Sequence, residues 1–133
     1  MIFLDTSAIY ALADQADPRH ELAKARFGAL LEGGEGILTH NYVLGESMAL
    51  TQSRLGLAAT LKLAADCRAF AIEWRDQATH EEAVRQLARH GRRPVSFVDQ
   101  VSFLVMRRRG VRTALAFDPD FEAEGFRLFD GGG

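Results

Sequence analysis

Four carboxylates sit beside segments that a folded chain would bury. Asp5 ends the run Ile2-Phe3-Leu4, Glu46 interrupts Tyr42-Val43-Leu44-Gly45, Asp99 follows Val95-Ser96-Phe97-Val98, and Asp118 follows Ala114-Leu115-Ala116-Phe117. A charge carried into apolar surroundings is costly unless it is paired or binds a cation, and no Lys or Arg lies close in sequence to Asp5, Glu46 or Asp118. Oxygen ligands for a hard divalent cation are the economical reading. Each acid also has a purely structural use. Asp5 and Asp99 can cap the helices that follow them, Glu46 can lie on a helix surface, and Asp118 can open a turn before Pro119.

The elements that would position these acids are short. Ile2 to Leu4 reads as a buried strand, and Asp5-Thr6-Ser7 supplies cap-type side chains before a helix through Leu12. Asp17-Pro18 reads as an N-cap with Pro at the first helical position, and that helix stops at Gly33-Gly34. Ile37 to Thr39 is a second strand, followed by helices from Asn41 to a break near Gly56 and from Leu57 to Ala69. Phe70 to Trp74 is a third strand. Thr79-His80-Glu81-Glu82 is a capping box opening a helix through Leu87, with His90 to Pro94 as a linker. Val95 to Val98 is expected to be extended, Asp99 to cap a helix through Arg109, and Gly110 to occupy its C′ position. Thr113 to Phe117 and Phe126 to Phe129 complete five strands. Strands alternating with helices imply an α/β sandwich around a mainly parallel sheet.

In such sheets ligands gather at the carboxyl ends of the strands. Asp5 and Asp118 each follow a strand directly, Asp99 starts a helix, and Glu46 lies roughly 7 Å along a helix that itself follows strand two. All four can therefore meet in one cleft.

At 133 residues, 47% apolar and 26% charged, the chain reads as one soluble domain over residues 1–130, with the glycines 131–133 as a flexible tail. The single Cys67 excludes an internal disulfide, and the absence of a signal peptide or long apolar run points to the cytoplasm and away from membranes. Four scattered histidines match no zinc spacing. The net charge of −2 hides an uneven distribution. Between Arg85 and Arg112, eight arginines stand against Asp99 alone, a local +7. That stretch could hold phosphates or form a solvated face balanced by acids elsewhere.

The pattern Phe3-Leu4-Asp5-Thr6-Ser7, Glu46 after the second strand, Ser96-Phe97-Val98-Asp99-Gln100, and Phe117-Asp118-Pro119-Asp120-Phe121 with Gly125-Phe126 resembles PIN-domain proteins over essentially the whole chain, above all the bacterial VapC-type ribonuclease toxins. The resemblance implies a three-layer α/β/α sandwich and a Mg²⁺- or Mn²⁺-dependent endoribonuclease, acting as a homodimer and paired with an antitoxin of the VapB kind. It implies that Asp5, Glu46, Asp99 and Asp118 are metal ligands and catalytic residues, with Thr6 as a supporting polar group. Asn41 or Asp120 could share the part of the fourth acid. Arg92, Arg93, Arg107, Arg108 and Arg112 are the residues expected to meet RNA phosphates or an acidic partner segment.

The chemistry agrees with this. Phosphodiester hydrolysis needs an activated water, neutralised non-bridging oxygens and a stabilised leaving oxygen, and divalent ions supply all three. A haloacid dehalogenase-type phosphotransferase would need a second Asp where Ser7 stands, and no Gly-rich loop follows the first strand to make a nucleotide site. Two rival readings are an RNA-binding or regulatory protein of the same fold without turnover, and an RNA-maturation nuclease that has no antitoxin.

Overall fold

A computed structural model describes residues 1–89 and 95–132, and these alternate strand and helix from end to end. The five strands are β1 (Ile2–Leu4), β2 (Ile37–His40), β3 (Ala71–Glu73), β4 (Thr113–Leu115) and β5 (Arg127–Leu128), in the spatial order β3-β2-β1-β4-β5. Every pairing is parallel. Parallel strands need long crossovers, and helices laid over both faces bury the strands completely. Every residue of β1 and β2 is accordingly buried.

Helices α1 (Thr6–Ala13) and α2 (His20–Glu32) join β1 to β2, and α3 (Asn41–Leu55) and α4 (Leu57–Asp66) join β2 to β3. After β3 the chain returns across the sheet through α5 (Gln77–Arg89) and α6 (Phe97–Arg109) to β4, and α7 (Asp120–Ala123) leads into β5. With right-handed crossovers, the reversal of direction between β3 and β4 places the first four helices on one face and the later ones on the other. The result is a three-layer α/β/α sandwich. Its topological switch point lies between β1 and β4, where the outgoing chains diverge and leave a crevice at the carboxyl ends of the strands.

The core on the second face is a run of rings. Phe3 of β1 packs on Phe121 of α7 at 6.2 Å between centroids, Phe121 on Phe103 of α6 at 5.1 Å, and Phe103 on Phe126 at 5.7 Å. Phe3, Phe103 and Phe121 are wholly buried, so their area burial and edge contacts anchor α6 and α7 to the sheet.

Three helix starts differ from the sequence expectation. The chain around Val98 is helical rather than extended, because Ser96 rather than Asp99 caps α6, its hydroxyl accepting the Asp99 N–H at 3.1 Å. Asp99 is thereby moved from the cap into the first turn. α5 starts at Gln77, two residues ahead of Thr79, because Asp76 accepts the Thr79 N–H at 3.0 Å. α2 starts only at His20, since the Asp17 carboxylate accepts the Arg19 N–H at 2.8 Å and closes a turn around Pro18 instead of capping a helix there. In each case the nearest side-chain acceptor able to reach an N–H two or three residues on wins. The C′ role of Gly110 is present: it adopts φ 65°, and the Val111 N–H bonds to the Met106 carbonyl behind it. The predicted linker His90 to Pro94 lies outside the described residues.

His40, at the end of β2, is wholly buried and caps α3. Its Nδ1 accepts the Val43 N–H at 3.3 Å, so the proton resides on Nε2 and is donated to Ser102 Oγ at 2.9 Å. Ser102 in turn donates to the Val98 carbonyl at 3.0 Å. A neutral imidazole thus ties β2 and the start of α3 to α6 just past Asp99. Burial, reinforced by the charge of Arg75, pushes its pKa down to about 3 from 6.5. The unfolded chain therefore binds more protons than the folded one in that window, and this contribution to stability is lost as pH falls from 6.5 toward 3. His40→Ala should cost about 2–4 kcal/mol in urea unfolding at pH 7.5 through the lost cap, hydrogen bond and ring packing. The variant should also lose less stability than wild type between pH 7 and pH 5. Parallel stability curves for the two proteins over that range would contradict the assignment.

Candidate active site

β1 carries the chain straight into the crevice. The Asp5 N–H still donates to the Leu115 carbonyl of β4 at 3.1 Å, so the residue is held in line with the sheet. Its carboxylate caps α1, one oxygen accepting both the Ser7 N–H at 3.1 Å and the Ser7 hydroxyl at 2.7 Å. The Ser7 oxygen then accepts the Phe117 N–H at 2.9 Å. Ser7 therefore joins the segment after β1 to the segment after β4, one residue from Asp118. The cap function expected of Asp5 and the site function are compatible, since the same carboxylate remains in the cleft.

Asp118 follows on that second segment and accepts the Asp120 N–H at 2.9 Å, forming a tight turn at Pro119. Asp99 reaches the same point from the first turn of α6. Oxygens of Asp99, Asp118 and Asp120 all lie within 4.8 Å of one another. Asp5 stands close enough that its charge and that of Asp118 each act on Asp99. Three elements, β1, α6 and the loop after β4, thus deliver acids to the switch point.

These acids are poorly hydrated. Asp5 is 4% exposed and Asp99 9%. Burial raises the Asp5 pKa to about 6 against the pull of the Ser7 hydrogen bonds, with the Asp118 charge adding to the rise. Burial also raises Asp99, to about 8, helped by the charges of Asp5 and Asp118 and by a hydrogen bond to Asp118. Among the described residues no ion pair reaches Asp5, Asp99 or Asp118. Desolvated oxygens of like charge without a basic partner form a donor set that suits a hard divalent cation, so the residues present fit Mg²⁺ or Mn²⁺.

The other expected residues fall in varied places. Thr6 is 8% exposed next to Asp5, and its hydroxyl is buried with no hydrogen-bond partner among the described residues. Glu46 is exposed, and no hydrogen bond or ion pair links it to the aspartates. The buried stripe of α3 runs Val43, Ser47, Thr51, four residues apart, and Glu46 lies beside it, three residues from Val43. Asn41 accepts the Arg75 N–H at 2.8 Å and is thereby committed to the turn after β3. Arg107 pairs with Glu124 at 3.0 Å, Arg108 donates to Thr79 at 2.7 Å, Arg112 is exposed, and Arg92 and Arg93 lie outside the described residues. The sequence marks Ser7 only as a cap and Asp120 only as a residue that could share the part of the fourth acid. The Ser7 bridge spans 110 residues, so no local signal announces it.

The sequence matches the PIN domain family over residues 2–126. It is 40% identical over 131 residues to the 23S rRNA-specific endonuclease VapC20 of Mycobacterium tuberculosis in two strains, CDC 1551 / Oshkosh and ATCC 25618 / H37Rv, covering 95% of both chains in each comparison. The structure superposes on a crystal structure of Mycobacterium tuberculosis VapC20, described as a sarcin-ricin loop cleaving toxin, with a TM-score of 0.85, 39% identity, and coverage of 95% of this chain and 96% of that one.

The raised carboxylates make the metal-free protein sensitive to alkali. A folded pKa above the ordinary 3.8 means that the stabilising contribution is complete below that value and is lost as pH rises, through about 6 for Asp5 and about 8 for Asp99. Above about pH 7, His40 is neutral in both folded and unfolded chains, leaving Asp99 as the group to watch. In chelator, the melting temperature should fall between pH 7 and pH 9, and Asp99→Asn should flatten that fall and melt higher at pH 8.5. Superimposable melting profiles for variant and wild type would show that the acids do not strain one another.

Proposed function

The chain belongs to the PIN domain family and resembles its VapC-type members, and on that premise we propose that it is a metal-dependent endoribonuclease using Mg²⁺ or Mn²⁺, the toxin of a toxin–antitoxin pair. The observation that carries this reading is the meeting of Asp5, Asp99 and Asp118 at the switch point, with Asp5 and Asp99 stripped of water and none of the three given a basic partner among the described residues. Asp5, Asp99 and Asp118 would hold the cation, with Asp120 beside them and Glu46, exposed on α3, as a further proposed ligand. A cation held there would supply an activated water and charge neutralisation at the phosphate.

The protein's own residues provide placement. Ser7 holds the Asp5 carboxylate and the Phe117 backbone in one geometry, and the unpartnered Thr6 hydroxyl is the polar group available beside them. Arg112, with its exposed side chain, together with Arg92, Arg93, Arg107 and Arg108, is the proposed route for RNA phosphates or an acidic antitoxin segment. The names of the relatives make a structured ribosomal RNA loop the substrate to test first. A VapB-like antitoxin and a second copy of the chain are the proposed protein partners, supported by exposed apolar side chains such as Leu57, Leu61 and Trp74. Among the described residues no helix is long and apolar enough to cross a membrane.

RNA containing a sarcin-ricin loop should be cleaved with Mg²⁺ or Mn²⁺ and left intact with chelator. Asp5→Asn and Asp99→Asn should each reduce the rate by at least about a hundredfold, and Ser7→Ala by about 10- to 100-fold, as loss of a residue that orients a ligand does. Cleavage that survives chelation and both Asn variants would overturn the site. Tight RNA binding without any cleavage would favour the regulatory reading instead.

A further inference from the structure

We infer that Arg19 and Arg26 form a phosphate subsite on the α2 side of the acidic cleft, gripping the RNA backbone next to the phosphodiester that is cut; this rests on the nuclease reading above. The two arginines share one aromatic ring. The guanidinium carbon of Arg19 lies 5.2 Å from the centroid of Phe117, and that of Arg26 lies 5.6 Å from it. Phe117 immediately precedes Asp118, and its N–H is bound by the Ser7 oxygen that also serves Asp5. The Phe117 backbone is therefore fixed one residue from Asp118, and its ring packs against the hydrophobic core with the two cations over it.

Neither guanidinium is neutralised internally. Among the described residues no carboxylate forms an ion pair with Arg19 or Arg26, although the chain carries 18 acids and pairs Arg75, Arg85, Arg107 and Arg109 with some of them. Arg19 is exposed, whereas Arg26 is half-buried and its Nε is buried without a hydrogen-bond partner among the described residues. A buried donor of a charged group left unmade is costly, and two like charges over one ring repel. A phosphate bound at the pair would offset that repulsion. Stacking on an aromatic face fixes a guanidinium plane and leaves its N–H edges free for a fork of hydrogen bonds to phosphate oxygens. Arg19 and Arg26 stand seven residues apart, about two helical turns, so the last residue before α2 and its second turn address the same side. On this reading an RNA strand would be held by its phosphates at Arg19 and Arg26 and cut at the aspartates, which Phe117 adjoins through Asp118.

The test compares wild type with Arg19→Ala, Arg26→Ala and Arg26→Lys, the last keeping the charge but not the fork. Anisotropy of a fluorescein-labelled single-stranded RNA, titrated in chelator so that nothing is cut, should show about tenfold weaker binding for each Ala variant at low salt, and the slope of log affinity against log salt should drop by about 0.7 per residue lost. With cation restored, KM should rise by a similar factor while kcat changes less than twofold. Arg26→Lys should keep the salt slope yet lose affinity. A purely structural pair would lower the melting temperature and leave the slope unchanged, and that result overturns the subsite, as does loss of binding to an acidic peptide with RNA affinity retained. Should Arg26→Ala fail to fold, Arg19→Ala and Arg26→Lys carry the same comparison. Failure of wild type to cleave RNA would fall on the nuclease reading alone, because the salt slope is read without cleavage.

Discussion

Everything in this fold answers to one electrostatic constraint: three carboxylates must be held together in a crevice that strips two of them, Asp5 and Asp99, of water. Asp5, Asp99 and Asp118 come from β1, α6 and the loop after β4, and each lacks a basic partner among the described residues. Such an arrangement does not persist by local preference, since like charges in poor solvent would move apart. It persists because the backbones carrying them are locked. Asp5 is fixed through its N–H to β4, Asp118 through Ser7, and Asp99 by the cap at Ser96. The parallel sheet makes this possible by putting the ends of β1 and β4 side by side at a switch point.

Around that strained centre the fold uses neutral polar contacts rather than charges. The relay from Val43 through His40 and Ser102 to Val98 satisfies every group it buries, and it keeps the imidazole uncharged at neutral pH. Placing it beneath the cleft fastens α3 to α6 without adding a cation that would compete for the aspartates. The ring stack from Phe3 to Phe126 performs the same fastening for α7 with apolar area alone. Basic side chains are kept to the periphery, where most of those along α5 and α6 find acids or hydroxyls of their own. Arg19 and Arg26 are the contrast, cations placed on the ring of Phe117, next to Asp118 in sequence, and left without ion-pair partners among the described residues.

Much of this was legible in the sequence. The alternation of apolar strands with capped helices specified an α/β sandwich and all five strands, because buried parallel strands have to be short continuous apolar runs. Acids placed directly after those runs, Asp5 and Asp118, could be assigned to the carboxyl edge because a strand's end leaves its next side chain no other place to go. Gly110 announced the end of α6 through a backbone conformation that only glycine takes without strain. The first residues of α2, α5 and α6 were misjudged by one to three positions, since several side chains in each segment could cap and only the folded backbone selects among them.

What the tertiary structure alone decided is which acids meet. By spacing Glu46 is as well placed as Asp99, yet it is exposed beside the buried stripe Val43, Ser47, Thr51 of α3, while Asp120, in sequence only an alternative for the part of the fourth acid, lies within 4.8 Å of Asp99 and Asp118. The Ser7 bridge to Phe117 and the two arginines over that ring join residues about 90 to 110 positions apart. Local pattern determines how each segment folds and which edge of the sheet it reaches, because those depend on backbone hydrogen bonds and the period of apolar residues. The rotation of a helix about its axis and the partner of a buried hydroxyl depend on how distant surfaces pack, and that is settled only when the chain closes on itself.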